Sequence, residues 1–271
     1  MTTDTPPKRT PTVEPVTTRT VRSHDRRQAR RTATSRAATA NAGGDRYQDL
    51  IGAASLTGGP LLMATGDLLH PKETADIAGQ AAIVAEHATR WYVAHLLLLM
   101  GLLLFVPGLL TLTALATVRR PRVGYAARVL LVIGVAGLSA TLVAEMLVGR
   151  LGSVEATTME DLLDTMFSGP IAGLIIPAIL AFFVGAALFA VPLIGDSGPL
   201  RWPAAVLLAG TLLILAEIIS SQVLLSQIGN LLAWGGSTAF ARLLIHGELG
   251  APLAANAADA LPGDQRNSRS G

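Results

Sequence analysis

Long apolar runs separated by short polar links fill the sequence between residues 50 and 246. An α-helix rises about 1.5 Å per residue, so about 20 apolar residues cross the roughly 30 Å hydrocarbon core of a bilayer. The apolar region from Trp202 to His246 is too long for one span, and a tight turn is expected in its segment SSQVLLSQ. The predicted spans are Leu50–His70, Tyr92–Val118, Val129–Gly149, Pro170–Ile194, about Trp202–Ser220, and a last helix ending near His246. The pattern therefore predicts an all-α, polytopic transmembrane helix bundle of six spans, with five spans as the alternative.

Two of the polar links also show helical patterns. From Thr74 to Arg90, the apolar residues gather on one side of a short helix that Thr74 would cap. Residues 150–168 repeat apolar positions at helical spacing, and Thr157 with Glu160 fits a capping box. Both segments are expected to be amphipathic helices lying in the outer membrane interface.

Small residues and prolines inside the spans predict local features. The sequence GGP at 58–60 predicts a kink or a close helix approach in the first span, and Pro177 predicts a kink in the fourth. Gly134 and Gly137 are expected to let the third span approach a neighbour closely.

Composition agrees with a membrane domain between two polar tails. Hydrophobic residues make up 51% of the chain and charged residues 15%, against about 25% charged residues in a typical soluble domain. Residues 1–48 are predicted to be a disordered basic tail, 49–246 the transmembrane domain and 247–271 a disordered C-terminal tail. The chain has no cysteine, which excludes disulfides, thiolate catalysis, zinc–thiolate sites and iron–sulfur clusters.

The distribution of Lys and Arg predicts orientation in the cell membrane. With six spans and a cytoplasmic N-terminus, eighteen of the 21 Lys and Arg residues lie inside and three lie outside. The five-span alternative gives fifteen inside and six outside. The count favours a multi-pass inner-membrane protein with its N-terminus in the cytoplasm.

The same charges bear on the expected partners. The bilayer itself is the first partner, and the arginine-rich N-terminal tail is suited to contact anionic lipid head groups. No aromatic residue is interleaved among these arginines, so nucleic-acid binding is not expected. Assembly into a homo-oligomer or with another membrane subunit is left open.

Ionisable residues inside the apolar runs are the candidate functional residues. Four of them lie three to five residues from the outer end of their span, about 5 Å below the surface. Charged groups at mid-membrane cost roughly 2.5–3.5 kcal/mol each on insertion scales, so they tend to face the bundle interior and pair. The four are Asp67, His95, Glu145 and Glu217, and the outer residues His70, His87 and Arg90 are expected to close over the same polar pocket.

Three uses of this pocket remain open. Carboxylates and imidazoles bind Zn²⁺, Mn²⁺ or Fe²⁺, so Asp67, His95, Glu145 and Glu217 are candidate metal ligands, although no metal-binding spacing motif is present. The same groups are suited to loading and releasing protons. They also suit a purely structural contact between helices. A single haem held by the outer histidines is a further, weaker reading, and no cofactor is predicted outright.

The expected function follows from these alternatives. The sequence favours an integral membrane protein of unassigned activity, such as a small transporter or sensor subunit with a polar pocket on the extracytoplasmic side. A metal-dependent membrane enzyme and a structural subunit of a membrane complex are the alternatives. No catalytic serine motif is present, and a non-enzymatic role is preferred.

A few residues carry a resemblance. The pair HP at 70–71, Trp91, the run AHLLLL at 94–99 and the glycine-containing second span resemble multi-span membrane proteins of high-GC actinobacteria. The resemblance covers roughly residues 50–246. It implies a membrane location and a helical fold, and it implies no activity and no site residue.

Overall fold

The computed structural model describes residues 46–71, 77–151, 172–195, 198–220 and 222–248, together with the single positions 161, 165 and 170. By its contacts the chain divides into two units, Met1–Tyr47 and Gln48–Gly271. The helices below belong to the second unit, apart from the first two residues of the first helix.

The described residues form seven α-helices, which confirms the all-α prediction. They are α1 (46–69), α2 (Ile77–Glu86), α3 (Ala88–Arg119), α4 (Pro121–Leu151), α5 (Ala172–Ile194), α6 (Arg201–Ser220) and α7 (Val223–Ile245). Four of them, α3 to α6, are long and apolar enough to cross a membrane. The last two helices are separate, as predicted: α6 ends at Ser220 and α7 begins at Val223, both within the expected segment.

One predicted boundary was wrong. The short outer helix was expected to continue to Arg90, but α2 ends at Glu86 and α3 begins at Ala88. The predicted third span, Val129–Gly149, lies within α4, and that helix begins earlier, at Pro121. Proline suits a first helical position because it needs no hydrogen bond from its backbone nitrogen, so the arginines that follow it belong to the helix and not to a loop.

Several predictions fall outside the described residues. These are the N-terminal tail through residue 45, the Thr74 cap, nearly all of the second outer helix at 150–168, and the C-terminal tail from residue 249. The kink at Pro177 also stays a prediction, although Pro177 does lie within α5.

Glycines allow the helices to approach closely, as predicted for two of the spans. A Cβ atom added at Gly59 in α1 would lie 2.7 Å from Cβ of Phe105 in α3. One added at Gly134 in α4 would overlap the backbone of Phe182 in α5. Both contacts are far closer than van der Waals distance, so only glycine fits at these crossings.

The contacts also give the directions of the helices. The start of α1 contacts the end of α7, where Gly52 faces Leu244. The end of α1 contacts the start of α7, where Ser226 binds Asp67. Hence α1 and α7 run antiparallel over their whole length, and the apolar core fills the space among α1 and α3 to α7. Its largest buried side chains include Leu56, Leu112, Phe189 and Phe240.

Candidate functional site

Two histidines and a glutamate meet at the same end of three helices. His70 follows the last residue of α1, His95 lies in the second turn of α3, and Glu145 lies near the end of α4. Nε2 of His95 is 2.5 Å from Oε2 of Glu145, and it is 3.3 Å from Nε2 of His70. We call these residues, with Trp91, the histidine–glutamate cluster.

The hydrogen bonds restrict where the protons of this cluster can lie. Nδ1 of His95 is 2.8 Å from the carbonyl oxygen of Trp91, and a carbonyl only accepts, so Nδ1 carries a hydrogen. The contact between His95 and Glu145 then requires one further proton between the two side chains. Either an imidazolium faces a carboxylate, or a neutral imidazole faces a carboxylic acid. Since the His95 side chain is only 2% exposed, this proton is held out of water.

His70 completes the arrangement with its second ring nitrogen, Nε2. Its Nδ1 donates to the carbonyl oxygen of Pro71 at 2.8 Å, which leaves Nε2 to face His95. Burial, with a smaller contribution from the neighbouring His95, lowers the pKa of His70 to about 4. Arg90 acts in the same direction on this pKa, and Glu145 opposes them. His70 is therefore uncharged at neutral pH.

Within the cluster, Trp91 packs against the two imidazole rings from one side. Its indole ring lies 4.6 Å from each of the two imidazole rings, measured between ring centroids. Its Nε1 donates a hydrogen bond to the backbone carbonyl of Glu145 at 2.9 Å, which ties α3 to α4. Gly149 lies against the indole, where a Cβ would be 2.8 Å from Trp91 Cδ1. Sequence analysis named Trp91 only among the residues that carry the resemblance and did not predict this contact.

Arg90 holds the end of α1. Its Nε donates to the carbonyl of Leu69 at 2.6 Å, and its terminal nitrogen lies 3.4 Å from the carbonyl of His70. The last carbonyls of a helix have no partner within it, and a cation suits the negative end of its dipole. Arg90 thereby fixes the position from which His70 reaches His95.

A second polar group, which we call the Asp67 cluster, joins α1 to α6 and α7. Ser226 donates to Oδ1 of Asp67 at 3.2 Å, and the Asn230 side chain lies beside the same carboxyl. The Glu217 carboxyl is close enough to that of Asp67 for the two to repel each other. Among the described residues, no partner lies within hydrogen-bonding distance of the buried Oδ2 of Asp67.

The contacts thus distribute the predicted residues over two groups instead of one pocket. His70, His95, Glu145 and Arg90 belong to the first group, and Asp67 and Glu217 belong to the second. His87 is the exception, because its half-exposed side chain contacts Glu86 at 4.0 Å. Within the described ranges, no three His, Asp or Glu side chains are arranged to hold a metal ion.

Sequence reasoning missed Ser226 and Asn230. They are four residues apart in α7, which puts them on one helix face, and both are buried. Their spacing in an otherwise apolar helix was a usable signal. It was passed over because uncharged polar residues are common in membrane helices and carry less information than charges.

The length and composition of α3 to α6 define a multi-span helical membrane protein. Comparison of the chain with protein-family models, with curated proteins and with solved structures gives no match.

Proposed function

We propose that this chain is a six-span inner-membrane protein with a cytoplasmic N-terminus, and that its histidine–glutamate cluster is an extracytoplasmic proton-binding site of a small transporter or sensor subunit. The observation that carries the proposal is the buried contact of His95 with Glu145 at 2.5 Å, with His70 against it. Ionisable residues at this depth are typical of proton relays in membrane proteins.

Two features support six spans over five. The antiparallel contact of α7 with α1 runs from Ser226 beside Asp67 to Leu244 beside Gly52, so α7 traverses the same distance as α1. With 23 residues, α7 is about 35 Å long, enough to cross a bilayer. An even number of spans also returns the C-terminus to the side where the positive charges are concentrated.

Cysteine labelling tests this topology without background, because the chain has no cysteine. Glu86 and Glu248 are both exposed and are expected on opposite sides of the membrane. In intact cells, a membrane-impermeant maleimide should label the variant E86C and should label E248C only after permeabilisation. Labelling of E248C in intact cells would contradict the six-span arrangement.

Acidification is expected to open the histidine–glutamate cluster. A proton added to His70 places an imidazolium against the His95 ring, whose centroid is 4.7 Å away, and beside the guanidinium of Arg90. Glu145 is the only carboxylate that contacts the cluster among the described residues, and it carries at most one negative charge. Repulsion then favours movement of His70 and the end of α1 away from α3.

Trp91 provides a built-in reporter of this change. Trp202 and Trp234 are replaced by phenylalanine, which leaves Trp91 as the only one of the three tryptophans. In nanodiscs, acid should change the Trp91 emission, because it charges the His70 imidazole that lies 4.6 Å from the indole and moves it away from α3. The variant H70Q should shift or remove the transition, while H87Q, the matched exposed histidine, should leave it unchanged. Equal titrations in all three proteins would overturn the proposal.

Reconstitution separates a transporter from a sensor. In liposomes containing a pH-sensitive dye, a transporter should move protons down an imposed gradient, and the variant E145Q should abolish this flux while it retains its helical content. A sensor should show the Trp91 transition without flux. If the protein shows neither proton flux nor the Trp91 transition, and E145Q unfolds, the cluster is a structural contact and the proton-binding proposal is wrong.

Hydrogen bonds made by Trp91 and Arg90 support the structural alternative. The bond from Trp91 to the backbone of Glu145 and the bonds from Arg90 to the end of α1 hold three helices together without any proton transfer. A purely structural contact predicts a large loss of stability in E145Q and no pH response near the indole.

A further inference from the structure

A groove between α3 and α4 lies in the half of these helices opposite the histidine–glutamate cluster. It contains about 370 Å³ of space, including its open side. Its walls are almost entirely aliphatic, and its polar atoms come from one end. The residues that matter here are Val106 and Leu110 of α3, Val132 and Val135 of α4, and the pair Thr113 and Arg128.

Arg128 is the unusual member of this groove. Its Nε donates to Oγ1 of Thr113 at 3.3 Å, and Thr113 in turn donates to the carbonyl of Leu110 at 2.9 Å. A guanidinium has five N–H donors and is always charged. Within the described part of the chain, no carboxylate lies at salt-bridge distance from Arg128.

The sequences of the helices around Arg128 explain why no carboxylate pairs with it among the described residues. The sequences of α3 and α5 contain no Asp or Glu at all. The only acid in α4 is Glu145, seventeen residues further along and about 25 Å away on a straight helix. The nearby charged residues at the end of α3, at the start of α4 and between the two helices are the cations Arg119, Arg122 and Arg120.

The charged end and the aliphatic wall of the groove lie at different depths along α4. Arg128 is the eighth residue of α4, about 10 Å from its start, and a long side chain at that depth reaches back towards the membrane surface. Val132 and Val135 continue the wall from Arg128 towards the middle of the helix. A cation near the head groups and an aliphatic slot towards the bilayer centre match the two ends of a phospholipid.

We infer that this groove is a binding site for one anionic phospholipid, whose phosphate pairs with Arg128 and whose acyl chain lies along Val132 and Val135. The charge of Arg128 selects an anionic lipid over a zwitterionic one, because a net negative head group offers the missing counter-charge. The inference rests on α3 and α4 crossing the bilayer and does not depend on the proton-binding site.

Native mass spectrometry of the full chain in mild detergent tests the site. Wild type, titrated with phosphatidylglycerol, should show one saturable bound lipid, with at least tenfold weaker binding of phosphatidylcholine. The variant R128Q should bind phosphatidylglycerol at least tenfold more weakly, and R128K should recover most of the affinity. The matched control R122Q removes the same charge from an exposed position on the same helix and should bind like wild type.

A second variant tests the slot without changing charge. Val132 is 55% exposed, so V132W can fold while its indole fills the groove, and it should lose the bound lipid. Three results would overturn the site: equal losses in R122Q and R128Q, equal binding of the two lipids, or unchanged binding in V132W. Glycerol 1-phosphate, which has the head-group phosphate without a chain, should not compete, and competition would assign the site to free phosphate.

Discussion

His70 should make the stability of the folded chain depend on pH. Its pKa is about 4 in the folded protein and 6.5 in an unfolded chain. Between these values the unfolded chain binds the proton and the folded chain does not, so acid favours unfolding. The contribution of His70 is fully present above pH 6.5 and is lost as the pH falls through 4.

The size of the effect follows from the two pKa values. Each factor of ten in proton affinity is worth 1.36 kcal/mol, so the difference between them corresponds to about 3 kcal/mol in the free energy of unfolding. This is a large fraction of the 5–15 kcal/mol that is typical of folded domains. The loss should be concentrated between pH 6.5 and pH 4.

Equilibrium unfolding in mixed micelles, with increasing SDS, measures this quantity at pH 7, 5.5 and 4. Other carboxylates also titrate in this range, so the informative value is the difference between wild type and H70Q. Wild type should lose about 3 kcal/mol more than H70Q between pH 7 and pH 4. The exposed-histidine variant H87Q should follow wild type. Parallel curves for wild type and H70Q would refute the assignment of a buried, neutral His70.

Three further predictions concern packing and charge, and thermal or SDS unfolding at pH 7 checks each. G236A should destabilise the fold by about 1–3 kcal/mol, because its Cβ would lie 2.7 Å from the backbone of α6. The control G235A, whose Cβ would have nothing within 4 Å, should stabilise the fold by up to about 1 kcal/mol. Equal effects of the two substitutions would contradict the packing of α6 on α7. E145A should cost about 3 kcal/mol and E145Q less than half of that, because only the alanine removes the polar group of α4 that contacts Nε2 of His95. Equal losses would contradict the hydrogen bond. D67N should leave the stability unchanged or raise it by about 1 kcal/mol, because it removes a buried charge that faces a second carboxylate. A clear loss of stability in D67N would contradict the repulsion between Asp67 and Glu217.

The sequence allowed prediction of the depth of the polar groups but not of their partners. Depth follows from counting residues at 1.5 Å each from the end of an apolar run. Partners depend on the rotation of each helix about its own axis, which is decided by packing. Gly66 and Gly101 illustrate this, because a Cβ at either would meet the backbone of the other helix at about 2.8 Å and turn α1 relative to α3.

Asp67 and His70 show the consequence. Three residues apart in one helix, they were expected on the same face and in the same pocket. However, α1 ends at residue 69, so His70 leaves the helical path, and Arg90 holds the carbonyls at that end. Asp67 then faces α7, and His70 faces α3. A difference of one residue in a helix end, which sequence patterns do not resolve, separates the two groups.

The two clusters differ in how completely their polar atoms are satisfied, and this difference bears on function. In the histidine–glutamate cluster both nitrogens of His95 have partners, as a structural contact between helices requires. In the Asp67 cluster one carboxyl oxygen is buried without a partner among the described residues, and Glu217 adds a repulsive neighbour. Such an arrangement costs stability and does not contribute to it. If D67N stabilises the fold and also abolishes proton flux or the Trp91 response, Asp67 serves function at the expense of stability. If it stabilises the fold and changes neither signal, proton binding is confined to the contact among α1, α3 and α4.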